Sequence, residues 1–179
     1  YRGQVLEYNQ KKKEIYRLQG NKSAYIEQLW KLVLEQSAGD LDIYKELKAQ
    51  YSEKEWLIKR EELFKKLPAN AHIDRLYKEE KLYDRLLAYV LKSSGLYAVQ
   101  SYENVLKKEY PKQILSKYQD EVNKMASCTG NRKHYADLVA LLRRMKQIKG
   151  GSEIVETIVE EWKIKYRNRP AMMDELSKL

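Results

Sequence analysis

Few residues in this chain carry side chains suited to catalysis, and Cys128 is the only nucleophile with a potential base close to it in sequence. His134 follows it by six residues, across a turn predicted at Thr129 and Gly130. A thiol and an imidazole at this spacing can form a nucleophile and its base, but a catalytic pair also needs a third group that orients the imidazole. No such group is specified nearby, and free cysteine is among the most buried residue types. We therefore expect Cys128 to be inert and half-buried.

Metal binding and acid-base catalysis are not expected either. One cysteine and two histidines are too few for a structural zinc site, and His72 is interpreted as a surface or capping residue. Adjacent glutamates occur at Glu61-Glu62, Glu79-Glu80 and Glu160-Glu161. Adjacent residues diverge by about 100° on a helix, so these carboxylates are expected to form surface ion pairs. We predict no catalytic residue, no metal, no cofactor, no small-molecule substrate and no enzymatic activity.

Basic residues near the C-terminus are the strongest candidates for a binding site. The net charge is +9, spread nearly evenly along the chain. If two C-terminal helices form a hairpin, basic residues at their adjoining ends could hold a phosphate backbone or an acidic peptide. The alternative is that these cations are there because the helix dipole favours them at helix C-termini. The candidate polyanion-binding residues are Arg132, Lys133, Arg143, Arg144, Lys165, Arg167 and Arg169.

The elements that must position these residues are predicted to be helices almost throughout. Apolar residues recur at helical spacing, and the seven Gly and three Pro mostly fall where helix start and stop signals cluster. We predict about eleven helices joined by turns of no more than about six residues. Short turns favour an all-α, tetratricopeptide-like, right-handed α-α superhelix of stacked antiparallel pairs. No linker-like stretch divides the chain, so one helical-repeat domain over residues 1–179 is expected.

Local signals predict where several of these helices start. N-cap residues are predicted at Asn21 or Ser23, and at Asp40, Ser52, Asn131 and Ser152. Ser52 and Glu55 have the spacing of a capping box, and Gly150-Gly151 is expected to end the helix before Ser152.

Tyrosine is unusually frequent, with fifteen Tyr against one Phe. Tyrosine can pack its ring between helices and give its hydroxyl to water or a neighbouring carboxylate, which suits a thin helical stack. A tyrosine-lined groove for peptides is the alternative interpretation.

Composition indicates a cytoplasmic protein without a membrane partner. The single cysteine excludes an internal disulfide, and no secretory signal is visible. The longest apolar run, Leu86 to Leu91, has six residues, whereas a membrane-spanning helix needs about 20. The chain begins with Tyr1 rather than Met, so we expect it to be the C-terminal part of a longer protein.

A family resemblance rests mainly on the last fifty or so residues. The stretches that carry it are 130–135 (GNRKHY), 141–145 (LLRRM), 150–151 (GG) and 166–176 (YRNRPAMMDEL), with Trp30, Glu55-Trp56 and Tyr110-Pro111 further upstream. Together they resemble the C-terminal helical region of bacterial SWIM zinc finger proteins, over about residues 25–179. The resemblance implies a helical-repeat region that accompanies a zinc module and serves as a scaffold or binds a partner. The zinc signature of that family, Cys-x-Cys and Cys-x-His, has no match here, so neither zinc nor DNA contacts are assigned to any residue.

The sequence therefore predicts a non-enzymatic helical-repeat scaffold that mediates protein-protein interaction with an unidentified partner. The alternative is a nucleic-acid-binding accessory domain that uses the basic C-terminal residues. Affinity for nucleic acid that falls steeply with salt distinguishes the second from the first.

Overall fold

A computed structural model describes residues 2–179 of the chain, with side chains from residue 3 onward. This range is all-α, with eleven α-helices, one π-helical segment and no β-strand. The α-helices are α1 Arg2–Leu18, α2 Lys22–Lys31, α3 Leu41–Lys48, α4 Glu53–Lys66, α5 Ile73–Glu79, α6 Tyr83–Lys92, α7 Tyr97–Leu106, α8 Pro111–Ser127, α9 Arg132–Lys146, α10 Gly151–Lys165 and α11 Pro170–Leu176. The predicted all-α class and number of helices are confirmed. None of these helices combines the length and the apolar character that a membrane span requires.

Capping by polar side chains explains where several helices begin. The side chains of Asn21, Asp40 and Asn131 each accept a backbone N–H from the first turn of the following helix. Ser52 and Glu55 form the complete capping box at the start of α4. These four predicted N-caps are confirmed, because a cap depends only on residues within one turn of each other.

The predicted cap at Ser152 is wrong, because helix α10 starts one residue earlier, at Gly151. Gly150 is the N-cap and has a φ of +83°, a left-handed conformation that favours glycine. A Cβ on Gly151 would lie 1.8 Å from the backbone oxygen of Met145, so only glycine fits there. The double glycine therefore begins α10. The prediction that it ends α9 is wrong, because α9 already ends at Lys146 and Gln147 is its C-cap.

A π-helical segment, Leu32–Gln36, follows α2 directly and changes which apolar residues face the core. The backbone N–H of Ser37 donates to the carbonyl of Leu32, five residues back, at 2.8 Å. Leu32 and Val33 are fully buried, whereas Leu34, the next residue, is half-buried. The wider turn shifts the register of the face at this point.

Backbone contacts divide the chain into two compact units, Tyr1–Leu82 and Tyr83–Leu179, which are described separately. In the first unit, α2 contacts α1 and α3, and α3 also contacts α5. In the second unit, each helix from α6 to α9 contacts the next one, and α6 also contacts α8 while α9 contacts α11. Stacked helix pairs produce this contact pattern. A tetratricopeptide-like superhelix and a single domain over residues 1–179 stay predictions.

Each unit has its own apolar core. The core of the first unit contains Tyr25, Leu29, Leu32, Val33, Ile43, Tyr44, Leu47, Trp56, Leu63 and Leu76. In the second unit the fully buried apolar residues include Leu86, Val90, Val99, Leu106, Ile114, Tyr118, Val122, Leu142, Met145, Val155 and Ile158. Tyrosine rings are packed in both cores, as expected from the interpretation that tyrosine packs its ring between helices.

Candidate functional site

Cys128 and His134 do not form a nucleophile-base pair. No hydrogen bond joins their side chains among the contacts of residues 3–179, and the His134 Nε2 atom instead lies 3.0 Å from the carbonyl oxygen of Met125. The imidazole therefore sits against the last turn of α8. Cys128 is exposed, so the expectation that it is half-buried is wrong. Its position directly after the end of α8 keeps it out of the core.

The other candidates for acid-base or metal chemistry are dispersed. His72 is exposed at the start of α5 and its side chain makes no capping hydrogen bond. Among the described residues, no group of three or more His, Cys, Asp or Glu side chains could hold a metal ion.

Two of the predicted polyanion-binding residues, Arg132 and Arg169, bind other parts of the second unit. Arg132 donates to Asp174 and, at 2.9 Å, to Glu175, both on α11. Arg169 donates to the carbonyl of Ala126 at 2.6 Å and to further carbonyls at the end of α8. Its guanidinium also lies over a ring, with the carbon atom 4.3 Å from the centroid of Tyr166. These contacts connect α9 to α11 and the loop before α11 to α8.

Arg143 and Arg144 lie near the opposite end of α9, about 17 Å along the helix axis from Arg132 at about 1.5 Å per residue. Arg143 donates to the carbonyl of Lys178 at 2.6 Å, and Arg144 donates to Glu103 at 2.9 Å. The set of seven residues is therefore divided between two ends of a helix.

Lys133, Lys165 and Arg167 complete the set, and all three are exposed. The Lys165 ammonium lies 5.4 Å from the centroid of the Tyr166 ring. No ion pair to these three residues occurs in the part of the chain that the structure describes. Since Arg169 reaches the turn before α9, the structure does bring the start of α9 near the end of α10, as a hairpin requires. A polyanion-binding role for the set stays a prediction.

Glu80 is the centre of a buried polar cluster in the first unit that the sequence did not predict. Its side chain is 6% exposed, so it is not the surface carboxylate expected from the Glu79-Glu80 pair. Oε1 accepts from the Tyr44 hydroxyl at 3.1 Å, the Lys48 ammonium at 2.8 Å and the Trp56 indole N–H at 3.1 Å. Oε2 accepts from Arg60 at 3.2 Å.

The charge of Glu80 is stabilised by these donors. Burial by itself raises the pKa of the Glu80 carboxyl, but hydrogen bonds from Lys48, Trp56 and Arg60, together with the charge of Lys48, outweigh it. The pKa of Glu80 therefore lies below its ordinary value. Because every polar contact comes from α3 or α4, this cluster connects three helices and has the character of a structural support.

A similar cluster lies around Glu103 in the second unit. Glu103 is buried, and it accepts hydrogen bonds from the Tyr118 hydroxyl on α8 and from the Arg144 guanidinium on α9. Burial, and then the hydrogen bond to Glu103, raise the pKa of Tyr118. Tyr25 makes the same kind of contact with Glu46 in the first unit. The expected use of tyrosine, a packed ring with its hydroxyl on a carboxylate, is confirmed at these positions.

Helix α1 packs on the first unit through residues that we call the inner seam: Leu6, Asn9, Lys13 and Tyr16. They follow one another at spacings of three, four and three residues, which places them on one face of the helix. Leu6 and Tyr16 pack against the core cluster. The two polar members have partners, since Asn9 Oδ1 accepts from Gln28 at 2.9 Å and Lys13 donates to Glu46 at 2.6 Å.

A second line of residues with the same spacing runs along the opposite side of α1. We call it the outer seam: Tyr8, Lys11, Ile15 and Leu18. Tyr8 is 65% exposed, Ile15 51% and Leu18 80%, so large apolar side chains point into solvent there. Lys11 is also exposed and pairs with Glu7 of its own helix at 2.7 Å. The signal that could have revealed this seam is that α1 carries apolar residues on two faces, whereas one buried face is enough for a surface helix.

The outer seam is the candidate functional site, because an exposed line of apolar side chains at regular helical spacing is a surface that can bind. It has no chemistry of its own beyond one ammonium group among apolar contacts. It can recognise a partner by shape and charge.

Comparison with known proteins gives no family to which the chain can be assigned, because no family model, no curated protein and no solved structure matches it.

Proposed function

We propose that this chain is a non-enzymatic helical scaffold that binds another protein, and that the outer seam of α1 is the contact surface. The observation that carries the proposal is the exposure of Tyr8, Ile15 and Leu18 on one face of a helix whose other face is already packed. Soluble proteins seldom leave such side chains together in water unless something binds there.

Further observations support a scaffold. The polar clusters around Glu80 and Glu103 connect helices to one another, and Cys128 and His134 have no hydrogen bond to each other in the described part of the chain. A tetratricopeptide-like stack would suit this role, and the resemblance to SWIM zinc finger proteins implies a scaffold or partner-binding role. An exposed thiol such as Cys128 suits a reducing compartment such as the cytoplasm.

Site-specific photo-crosslinking tests the proposal. The photoreactive residue p-benzoylphenylalanine replaces Tyr8, Ile15 or Leu18, one at a time, in the full chain expressed in its own cells. We expect each seam position to give a crosslinked product containing the same second protein. The matched control is Ile164, an exposed apolar residue on α10 that is 77% accessible, where we expect no such product.

Two results would count against this function. One is the absence of any protein product at all three seam positions. The other is an equal yield of the same product at Ile164, which would indicate non-specific binding to exposed apolar side chains.

A further inference from the structure

We infer that the partner segment that occupies the outer seam is an amphipathic helix, and that it presents a carboxylate to Lys11 between apolar contacts with Tyr8 on one side and Ile15 and Leu18 on the other. This inference rests on the proposed function and adds the kind of partner to it.

The spacing of the seam argues for a helix. Tyr8, Lys11, Ile15 and Leu18 follow one another at three, four and three residues, which is the alternation of the two core positions in a heptad repeat. The side chains of a partner helix repeat with the same period, so they can meet the seam residues one after another. The side chains of a strand alternate with a period of two and cannot follow this spacing. The seam spans about 15 Å of helix axis, or about three turns.

Lys11 argues for the charge of that helix, because the inner seam shows how α1 treats a lysine in the same setting. Lys13 lies among Leu6, Asn9 and Tyr16, its side chain is 12% exposed, and it is paired with the Glu46 carboxylate of α3. Lys11 is the cation of the outer seam, at its second position rather than its third. When a partner covers it, the ammonium loses water and needs a carboxylate from the partner.

The carboxylate that Lys11 contacts within its own chain, that of Glu7, stabilises the ammonium only weakly. Its pair with Glu7 lies on the same helix, and the two side chains are 71% and 66% exposed. Exposed pairs of this kind contribute little, so Lys11 can leave Glu7 for a partner's carboxylate.

A second copy of the chain fits the seam less well than an acidic helix. The four seam residues include no acid. The acids beside them, Glu7 and Glu14, already have cationic partners on their own helix. Two copies packed seam to seam therefore bring Lys11 no unpaired carboxylate. Like charges placed together across an interface weaken association. Charge complementarity therefore favours a different protein.

The experiment measures binding of two labelled helical peptides to the full chain by fluorescence anisotropy. The stapled peptides are about three heptads long, have leucine at the core positions and differ at one central core position, which is Glu in one and Lys in the other. We expect the Glu peptide to bind the wild-type chain about tenfold more tightly than the Lys peptide. Lys11→Glu should reverse this preference.

Matched variants separate the seam from general effects. Lys54→Glu makes the same charge change at an exposed residue of α4 and should leave the preference unchanged. Ile15→Gln keeps the charge constant and should weaken both peptides by about tenfold. Circular dichroism melting checks that each variant is folded.

Equal binding of the two peptides, or a preference that Lys11→Glu does not move, overturns the inference. So does a wild-type dimer in sedimentation that Ile15→Gln abolishes, which would assign the seam to a second copy. Binding to vesicles of phosphatidylcholine and phosphatidylserine that Ile15→Gln abolishes would overturn it in favour of a membrane surface. If neither peptide binds while the seam crosslinks still form, the helix inference is wrong and the proposed function stands. If no crosslinked product forms at the seam positions, the proposed function itself is wrong.

Discussion

Replacing Glu80 with alanine should strongly destabilise the first unit. The change removes the acceptor of four donors, of which Lys48 is partly exposed and can turn to water. The Tyr44 hydroxyl, the Trp56 indole N–H and the Arg60 guanidinium lie deeper and are left without this acceptor. Breaking a buried ionic cluster by removing one member costs about 3–5 kcal/mol, so we expect Glu80→Ala to lower the free energy of unfolding by about that amount.

The assay is urea unfolding followed by tryptophan fluorescence, because the Trp56 indole donates directly to the carboxylate that is removed. Hydrogen exchange of the amides in α3 to α5 assigns the change to the first unit. The control is Glu79→Ala, the neighbouring residue, whose side chain is 34% exposed and pairs with Lys45 at 3.4 Å. Exposed pairs contribute about 0–1 kcal/mol, so the control should change stability by no more than that.

The pH dependence gives a second measure of the same cluster. Because the pKa of Glu80 is lowered below its ordinary value of 4.5, its charged form stabilises the folded state above that pH. This contribution is lost as the pH falls through the lowered pKa, so the stability difference between wild type and Glu80→Gln should shrink below about pH 4.5. A Glu80→Ala effect at neutral pH that is no larger than the Glu79→Ala effect would refute the assignment of Glu80 as a structural support.

The remaining predictions concern the second unit. Arg144→Ala should destabilise it by about 1–3 kcal/mol in thermal unfolding, because a buried carboxylate loses a charged donor; no change would mean that this ion pair is not formed. Gly151→Ala should cost about 2 kcal/mol or more, since the new Cβ meets backbone, whereas Ser152→Ala should stay within about 0.5 kcal/mol; equal effects in urea unfolding would contradict the cap assignment. Arg143→Ala combined with Arg167→Ala should change duplex affinity in a salt titration by less than about twofold, and a loss of tenfold or more would instead support the nucleic-acid alternative.

Features that depend on neighbours in sequence could be predicted from the residues alone. The caps at Asn21, Ser52 and Asn131 were predictable because donor and acceptor lie within one turn. The failure at Ser152 has a local cause as well, since Gly150, with its left-handed conformation, is the N-cap two residues before Ser152.

Features that depend on packing could not be predicted. Glu80 and Glu79 are equivalent in sequence, and only the approach of α3 and α4 decides that one is buried among donors and the other is exposed. Arg132 and Arg144 belonged to a predicted binding surface. However, the partners of Arg132 are 42 and 43 residues away in sequence, and the partner of Arg144 is 41 residues away. Tertiary contacts over such distances leave no pattern that a single sequence displays.

The central claim, that the outer seam of α1 binds a protein, is tested most directly by combining the crosslinker at Tyr8 with Ile15→Gln. We expect the chain to remain folded, with a melting temperature close to that of the wild type, and to lose the crosslinked product. A control chain with the crosslinker at Tyr8 and Ile164→Gln in place of Ile15→Gln should keep the crosslinked product. A product that persists in the Ile15→Gln chain, or that disappears equally in the Ile164→Gln chain, would contradict the claim.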